Sequence, residues 1–370
     1  MYNIMGVVFA SGNESKLNEL TIHRTTASLP FCSRYRLVDF TLSNCVNSGI
    51  TNIGIIAKNN YSSLSDHIRQ GRDWDLNRKN GGIAVFPPFV VNTAREVYKG
   101  AIEAIYTIID FLEKSREEYV LVSNSNYAAS IDFQDVCKYH VEKGGDVTVV
   151  THSAHTGSSR RIIVETDPDG KIVDGFISES SCEENREVSM NIYIVKKDLF
   201  IDMIKAAYAR GLVDFEKDIL FRLIAEGRAY AYKQNGYAAI IDDVKSYYNE
   251  SMALLNLKER NELFKDANTI YTKVKDSVPA RYLYNANVKN SLIADGCEID
   301  GTVENCILFR NVKVESGAVI KDSIIMENGC IKKNSTISYA ITDKDVTVGE
   351  DRHLSGFSTY PIVIVKGKNI

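Results

Sequence analysis

The chain has 370 residues, 44% of them hydrophobic and 25% charged, with a formal net charge of −4 and a pI near 6.0. That length reads as two domains or one large one with a substantial core. The mild acidity argues against a nucleic-acid footprint or an anionic membrane surface, and no run reaches the roughly 18 apolar residues of a membrane span. Seven cysteines (Cys32, Cys45, Cys137, Cys182, Cys297, Cys306 and Cys330) form no CxxC pair. Free thiols in a reducing cytosol are the expected reading, not a disulfide framework or a zinc site.

In chain order, Ile4–Ala10 (IMGVVFA), which has no basic flank or cleavage pattern, is expected to be a buried strand in preference to a signal peptide. A helix is predicted over Leu37–Ser48, then a strand at Ile53–Ala57. Helices over Ala101–Arg116 and Phe133–Lys143 precede strands at Tyr119–Ser123 and Val147–Thr151. This alternation predicts an α/β domain with a mostly parallel sheet covered on both faces. Ligands of such sheets sit beyond the carboxyl ends of the strands, here after Ala10 and after Ser123.

A linker helix is expected over Val244–Lys265. After about Ser277 the helical period stops and apolar residues recur every six positions: Ile293 and Ile299; Val314 and Ile320; Ile325, Ile331 and Ile337. Small polar corners such as Asp295-Gly296, Ser316-Gly317 and Asn328-Gly329 fill the gaps. This is the pattern of a hexapeptide β-helix of four or five coils before Gly349. The expected division is 1–243, a nucleotidyltransferase-like domain; 244–277, the linker; and 278–370, a left-handed β-helix. Of the six histidines, His152 and His155 lie near each other, but no third ligand is spaced to complete a metal site.

A glycine-rich turn after a strand is a natural phosphate site, because backbone N–H groups converge there. The turn here, Ala10-Ser11-Gly12-Asn13-Glu14-Ser15-Lys16-Leu17, has one glycine and an acid. Two like charges ~4 Å apart repel by about 1 kcal/mol in water and by several times that in a partly closed site. By itself this loop is a poor triphosphate cradle.

Residues 30–50, PFCSRYRLVDFTLSNCVNSGI, resemble the ADP-glucose pyrophosphorylase family, and Leu42–Ile50 is a near-verbatim match. Val188–Val195 (VSMNIYIV), Asp214–Leu220 (DFEKDIL) and Gly236–Leu254 (GYAAIIDDVKSYYNESMAL) are similar to later motifs of that family. The resemblance spans nearly the whole chain and implies a Rossmann-like nucleotidyltransferase domain followed by a left-handed β-helix.

Residue by residue, the same resemblance implies lost chemistry. The family's phosphate-loop AGGxGxRL falls on Ala10–Leu17, with Glu14 at a glycine and Lys16 at the arginine. Lysine keeps the charge and loses the bidentate fork. The lysine of RAKP falls on Thr26, the metal aspartate of SGDH on Ser125, that of WxDVGT on Ile240, and the sugar-phosphate lysine of FxEKP on Ser180. The family uses Mg²⁺ to let an anionic nucleophile approach an anionic phosphorus. With both metal aspartates replaced, no productive cofactor is expected.

This set of replacements is similar to the GlgD-type subunit. The implied role is a regulatory, catalytically silent partner of a catalytic GlgC-type subunit, in a cytoplasmic heterotetramer making ADP-glucose from ATP and glucose 1-phosphate. Alone, the chain is compatible with a homo-oligomer. His23, Arg24 and Arg36 are the expected anionic-effector residues, with a solvated basic face or a subunit contact as the alternative. Asp214 and Lys217 are candidates for residual sugar-phosphate binding. Asp39 is either a helix cap or a ligand, Glu103 a helix N-terminal acid, and Trp74 core or interface packing.

Two other readings stay open. One is an active sugar-phosphate nucleotidyltransferase in which Asp242 or Asp243 replaces the aspartate lost at Ile240. The other, weaker, is a β-helix acyltransferase, for which only His353 is placed in the repeat region.

Overall fold

The computed structural model describes residues 1–12, 14–88, 98–153, 161–178 and 186–370. Among them, nine strands form one sheet. Strand Ile4–Phe9 lies parallel to Asn52–Ile56 on one side and Tyr119–Asn124 on the other, and Gly82–Phe86 extends the parallel set. Strand Glu187–Lys196 runs antiparallel to Tyr119–Asn124 and carries Val147–Ser153 and Arg161–Thr166 along its other edge.

The unbroken apolar run of the first strand follows from burial on both faces. Met5 and Val7 pack with Ile105, Leu112 and Phe200, while Ile4 and Val8 pack with Val38, Leu42 and Phe133. Successive strand residues point to opposite faces, so both layers claim a share of one run.

The helix expected over Ala101–Arg116 is two helices, Ala101–Tyr106 and Ile109–Lys114. Thr107 donates its hydroxyl to the Ala104 carbonyl at 2.7 Å, a back-bond that competes with the helical ladder. The expected linker helix also divides, into Val244–Ala253 and Leu257–Leu263. Asn256 caps the second piece by accepting from Lys258 N–H at 3.0 Å.

The repeat region forms three parallel sheets of five strands each, so five coils stack. The last strands, His353–Ser355 and Ile362–Ile364, lie beyond Gly349. Ile299, Val314, Ile320, Ile325, Ile331 and Ile337 fill the interior. The corners are built from left-handed residues, among them Asn311, Asn328, Asn334 and Asp345. Asn311 donates to Asn328 Oδ1 at 3.3 Å, and Asn328 donates to Asp345 Oδ1 at 2.9 Å, giving a side-chain ladder along one corner. Gly296 and Gly317 have φ of 77° and 74°, and a Cβ on either would collide with an asparagine carboxamide of the next coil. Asn328 has φ 61° and is exposed. Asn328→Ala is expected to cost about 1–2 kcal/mol and Asn328→Gly less, because glycine adopts the left-handed region freely. Urea unfolding midpoints of the two variants check this order.

A third core crosses from one half to the other. Leu20, Phe31 and Phe40 meet Tyr247, Leu263 and the β-helix residues Phe309, Ile324 and Ile341. Tyr248 adds a hydrogen bond from its hydroxyl to the Asp322 carbonyl at 2.6 Å. The β-helix is thus fastened by apolar packing to the segments that follow the first strand.

Candidate functional site

Two loops open at the carboxyl end of the parallel strands. The register pairs Phe9 with Asn124, which sets Ala10–Gly12 beside Ser125 and Asn126. The short antiparallel pair Tyr127–Ala129 and Ala238–Ile240 places Ile240 opposite Tyr127, next to the same loop. The result is a cleft of about 280 Å³ whose lining includes Gly12, Lys16, Thr26, Ser125, Arg161, Asn191, Ile240 and Asp242. Four positions singled out by resemblance, Lys16, Thr26, Ser125 and Ile240, therefore converge in space. Ser180 lies outside the described residues, as does His155.

The cleft lining mixes amides and hydroxyls with four charged side chains, Lys16, Arg161, Glu216 and Asp242, of which Arg161 and Asp242 form an ion pair. Ser125 is buried, and its hydroxyl has no hydrogen-bond partner among the described residues. Ile240 contributes only hydrocarbon. Asp242 and Glu216 are the carboxylates of the lining, and Asp242, beside Ile240, is committed: Arg161 Nε donates to Oδ2 at 2.9 Å and Asn126 Nδ2 to Oδ1 at 3.0 Å. Burial raises the Asp242 pKa, and Arg161 opposes the rise. Asp243 is turned away as a helix cap, accepting from Ser246 N–H at 2.7 Å. The two positions where the resemblance puts metal carboxylates thus offer one hydroxyl and one alkyl group, and the carboxylate beside them is arginine-paired, which does not match a magnesium site held there by carboxylates free to bind.

Glu14 does not line the cleft wall. Its Oε1 accepts from Gly12 N–H at 2.9 Å, and Thr26 approaches the same oxygen. Asp214 serves the backbone, accepting from Glu216 and Lys217 N–H at 3.1 and 3.0 Å. Lys217 is exposed, and neither residue lines the cleft; Glu216 does. Glu103 accepts from Lys99 N–H at 2.7 Å at the start of its helix. Trp74 is core, 1% exposed and edge-on to His67.

The effector candidates separate. His23 is exposed. Arg24 is buried and bound to Asp343 of the β-helix at 2.8 Å, with a second bond to the Leu20 carbonyl at 3.2 Å. Its guanidinium fastens the two halves and does not line the small cleft that Arg36 borders. Arg36 donates to the Ser63 carbonyl and hydroxyl at 2.7 and 3.0 Å and borders a small cleft of about 40 Å³ at the junction of the two halves. That cleft is strongly cationic: Arg34, Arg36, Lys273, Lys275, Arg310 and Lys344 face two carboxylates, Asp66 and Glu327. Asp39 is a helix cap, accepting from Arg36 N–H at 3.0 Å, and it pairs with His67 at 2.6 Å.

Sequence reasoning missed the five β-helix and linker members of the junction cleft and the Arg161–Asp242 pair. The alternation in Lys273-Val274-Lys275 was a usable signal, since period two puts both ammonium groups on one side of an extended segment. Arg161 and Asp242 meet from 81 positions apart with no local motif.

A family model described as nucleotidyl transferase matches residues 5–257, and one described as GlmU-like C-terminal hexapeptide matches residues 278–356. The glycogen biosynthesis protein GlgD of Bacillus subtilis is 35% identical over 99% of this chain and 97% of its own length. The glucose-1-phosphate adenylyltransferase of Fervidobacterium nodosum is 32% identical over 94% of this chain and 84% of its own. That of Geobacillus stearothermophilus is 35% identical over 86% and 83%. The chain belongs to the glucose-1-phosphate adenylyltransferase family. Relatives named for an enzyme and a relative named only for a pathway thus match over most of the same scaffold. The four positions that the sequence resemblance singles out, Glu14, Thr26, Ser125 and Ile240, all lie at or beside one cleft. Among the described residues no helix is long and apolar enough to cross a membrane, and the cysteines described are free.

Proposed function

We propose that this chain is a regulatory, catalytically silent subunit of a bacterial glucose-1-phosphate adenylyltransferase, assembled in the cytoplasm with a catalytic GlgC-type subunit as a heterotetramer in glycogen synthesis. The observation that carries the reading is the state of the cleft. Nucleotidyl transfer brings two anions together, and a carboxylate-held divalent cation is what makes that approach tolerable. Here Ser125 and Ile240 stand where the family resemblance puts the two metal carboxylates, and Arg161 neutralises Asp242. The alternative in which Asp242 or Asp243 restores the metal site needs whichever one acts to abandon its present bonds.

An anionic metabolite is the expected effector, held at the cationic junction cleft by Arg36 and its neighbours. The purified chain is expected to form no ADP-glucose with ATP, glucose 1-phosphate and Mg²⁺. Mixed with a catalytic family member, it is expected to change the kinetics or effector response of that enzyme by several-fold. Mass measurement of the co-expressed pair reads the stoichiometry. Robust turnover by this chain alone overturns the proposal.

A further inference from the structure

The turn after the first strand carries its own anion. Gly12 N–H, one of the backbone donors that such a turn offers to a phosphate oxygen, points instead at Glu14 Oε1, 2.9 Å away. Thr26 closes on the same oxygen, with its hydroxyl at 3.3 Å and its N–H at 3.5 Å. The Thr26 hydroxyl also bonds the Gly12 carbonyl, which ties the turn to the segment where the family resemblance puts a lysine. Two replacements that look like separate losses in sequence, an acid at 14 and a hydroxyl at 26, form one hydrogen-bonded unit.

We propose that Glu14 is an internal ligand of this turn: its carboxylate occupies the donors that would receive a polyphosphate, and so makes the cleft selective against nucleoside triphosphates. The proposal deepens the non-catalytic reading above and rests on it. A backbone N–H has one proton to give, so a phosphate gains it only by displacing the carboxylate. The carboxylate is tethered two residues away, and tethering gives it an effective concentration that a free ligand must overcome. Displacing it also leaves an anion beside an anion, with a neutral hydroxyl at position 26 to meet them both. Exclusion by occupancy therefore acts on top of simple repulsion, and the two are separable. Glutamine keeps an oxygen that accepts the same bonds and carries no charge; glycine removes the ligand altogether.

The test uses the full-length chain with Glu14→Gln, Glu14→Gly and Glu14→Ala. Inorganic triphosphate and ATP are titrated calorimetrically without metal, and the Gly12 amide is followed by hydrogen exchange. Wild type and Glu14→Gln are expected to bind weakly and to protect the Gly12 amide. Glu14→Gly and Glu14→Ala are expected to bind at least tenfold more tightly and to lose that protection. Thermal unfolding of each variant verifies that it is folded, and the alanine variant supplies the readout if glycine loosens the turn. Glu14→Gln binding as tightly as Glu14→Gly would mean repulsion alone and overturns the proposal, as does wild type binding triphosphate as tightly as Glu14→Gly. Turnover with Mg²⁺ is assayed separately on wild type. Binding without turnover overturns only the internal-ligand proposal, whereas turnover overturns the non-catalytic reading.

Discussion

Arg24→Ala is expected to lower the free energy of unfolding by roughly 3–5 kcal/mol, because it strips the partner from a carboxylate that cannot reach water. Arg24 is 3% exposed and Asp343 1% exposed, with 2.8 Å between guanidinium and carboxylate. Asp343 also accepts from Lys344 N–H at 2.7 Å, which leaves it hydrogen-bonded but uncompensated in charge once the arginine is gone. The pair joins the segment after the first strand to the last coils of the β-helix, so the loss is felt at the junction. Arg24→Lys is expected to recover only part of the stability, since an ammonium reproduces the charge and not the planar fork that also reaches the Leu20 carbonyl. Urea unfolding of Arg24→Ala, Asp343→Ala and the double variant measures the coupling, and the double variant is expected to cost less than the sum of the singles. A double variant whose cost equals that sum would show that the pair is not coupled. Because the group is spent on Asp343, Arg24→Ala is expected to change stability far more than anion affinity.

That contrast shows where sequence reasoning reached and where it stopped. The order of strands and helices was legible because each element must bury a face, and a face imposes a period: the six-residue repeat of Ile325, Ile331 and Ile337 is the pattern of a hexapeptide β-helix. The two broken helices were not legible, since Thr107 and Asn256 act through single side-chain bonds that leave the apolar period unchanged. At the site, the resemblance singled out Ser125 and Ile240 in separate motifs, and the fold brings both to one cleft. What surrounds them there was not legible. Whether Arg24 faces an effector or a carboxylate depends on Asp343, more than three hundred positions away. Sequence supplied the charge of Arg24 and not its partner.

The partners follow a common pattern. Asp242 meets Arg161 in the cleft, Asp343 meets Arg24 at the junction, and Glu14 meets the Gly12 amide in the phosphate turn. In each case a group suited to bind a ligand anion is matched by a carboxylate of the chain itself. The same is true of the cationic cleft that borders Arg36. Glu327 sits between Lys344 and Lys275, 2.7 and 3.1 Å from their ammonium nitrogens. Internal anions of this kind let a scaffold keep a cationic surface without free counter-ions, and they set the conditions under which an external anion competes.

Glu327→Gln is therefore expected to destabilise the chain by about 3 kcal/mol and, in the same stroke, to make its stability respond more strongly to added phosphate. Burial alone would raise the Glu327 pKa; Lys344 and Lys275 overcome it and hold the carboxyl at about 2, against an ordinary 4.5. That difference corresponds to about 3 kcal/mol at 1.36 kcal/mol per unit. The sign follows from the direction of the shift. A carboxylate whose folded pKa is depressed stabilises the fold at any pH above its unfolded value, and this contribution is lost as pH falls from about 4.5 toward about 2. Wild type is expected to lose stability through that window, and Glu327→Gln is expected to lack that component. Lys344 moves the other way. Burial lowers its pKa to about 8 even with Glu327 beside it, so removing the carboxylate is expected to lower it further. At neutral pH the variant then holds cations of the cleft with one carboxylate fewer, and inorganic phosphate is expected to stabilise it by RT ln(1 + [L]/Kd) as it fills the place that Glu327 held. Thermal unfolding across a phosphate series checks this. A larger rise in Tm for the variant than for wild type supports Glu327 as a resident anion with which an external anion competes, whereas equal rises in both proteins would show that phosphate binds without displacing it.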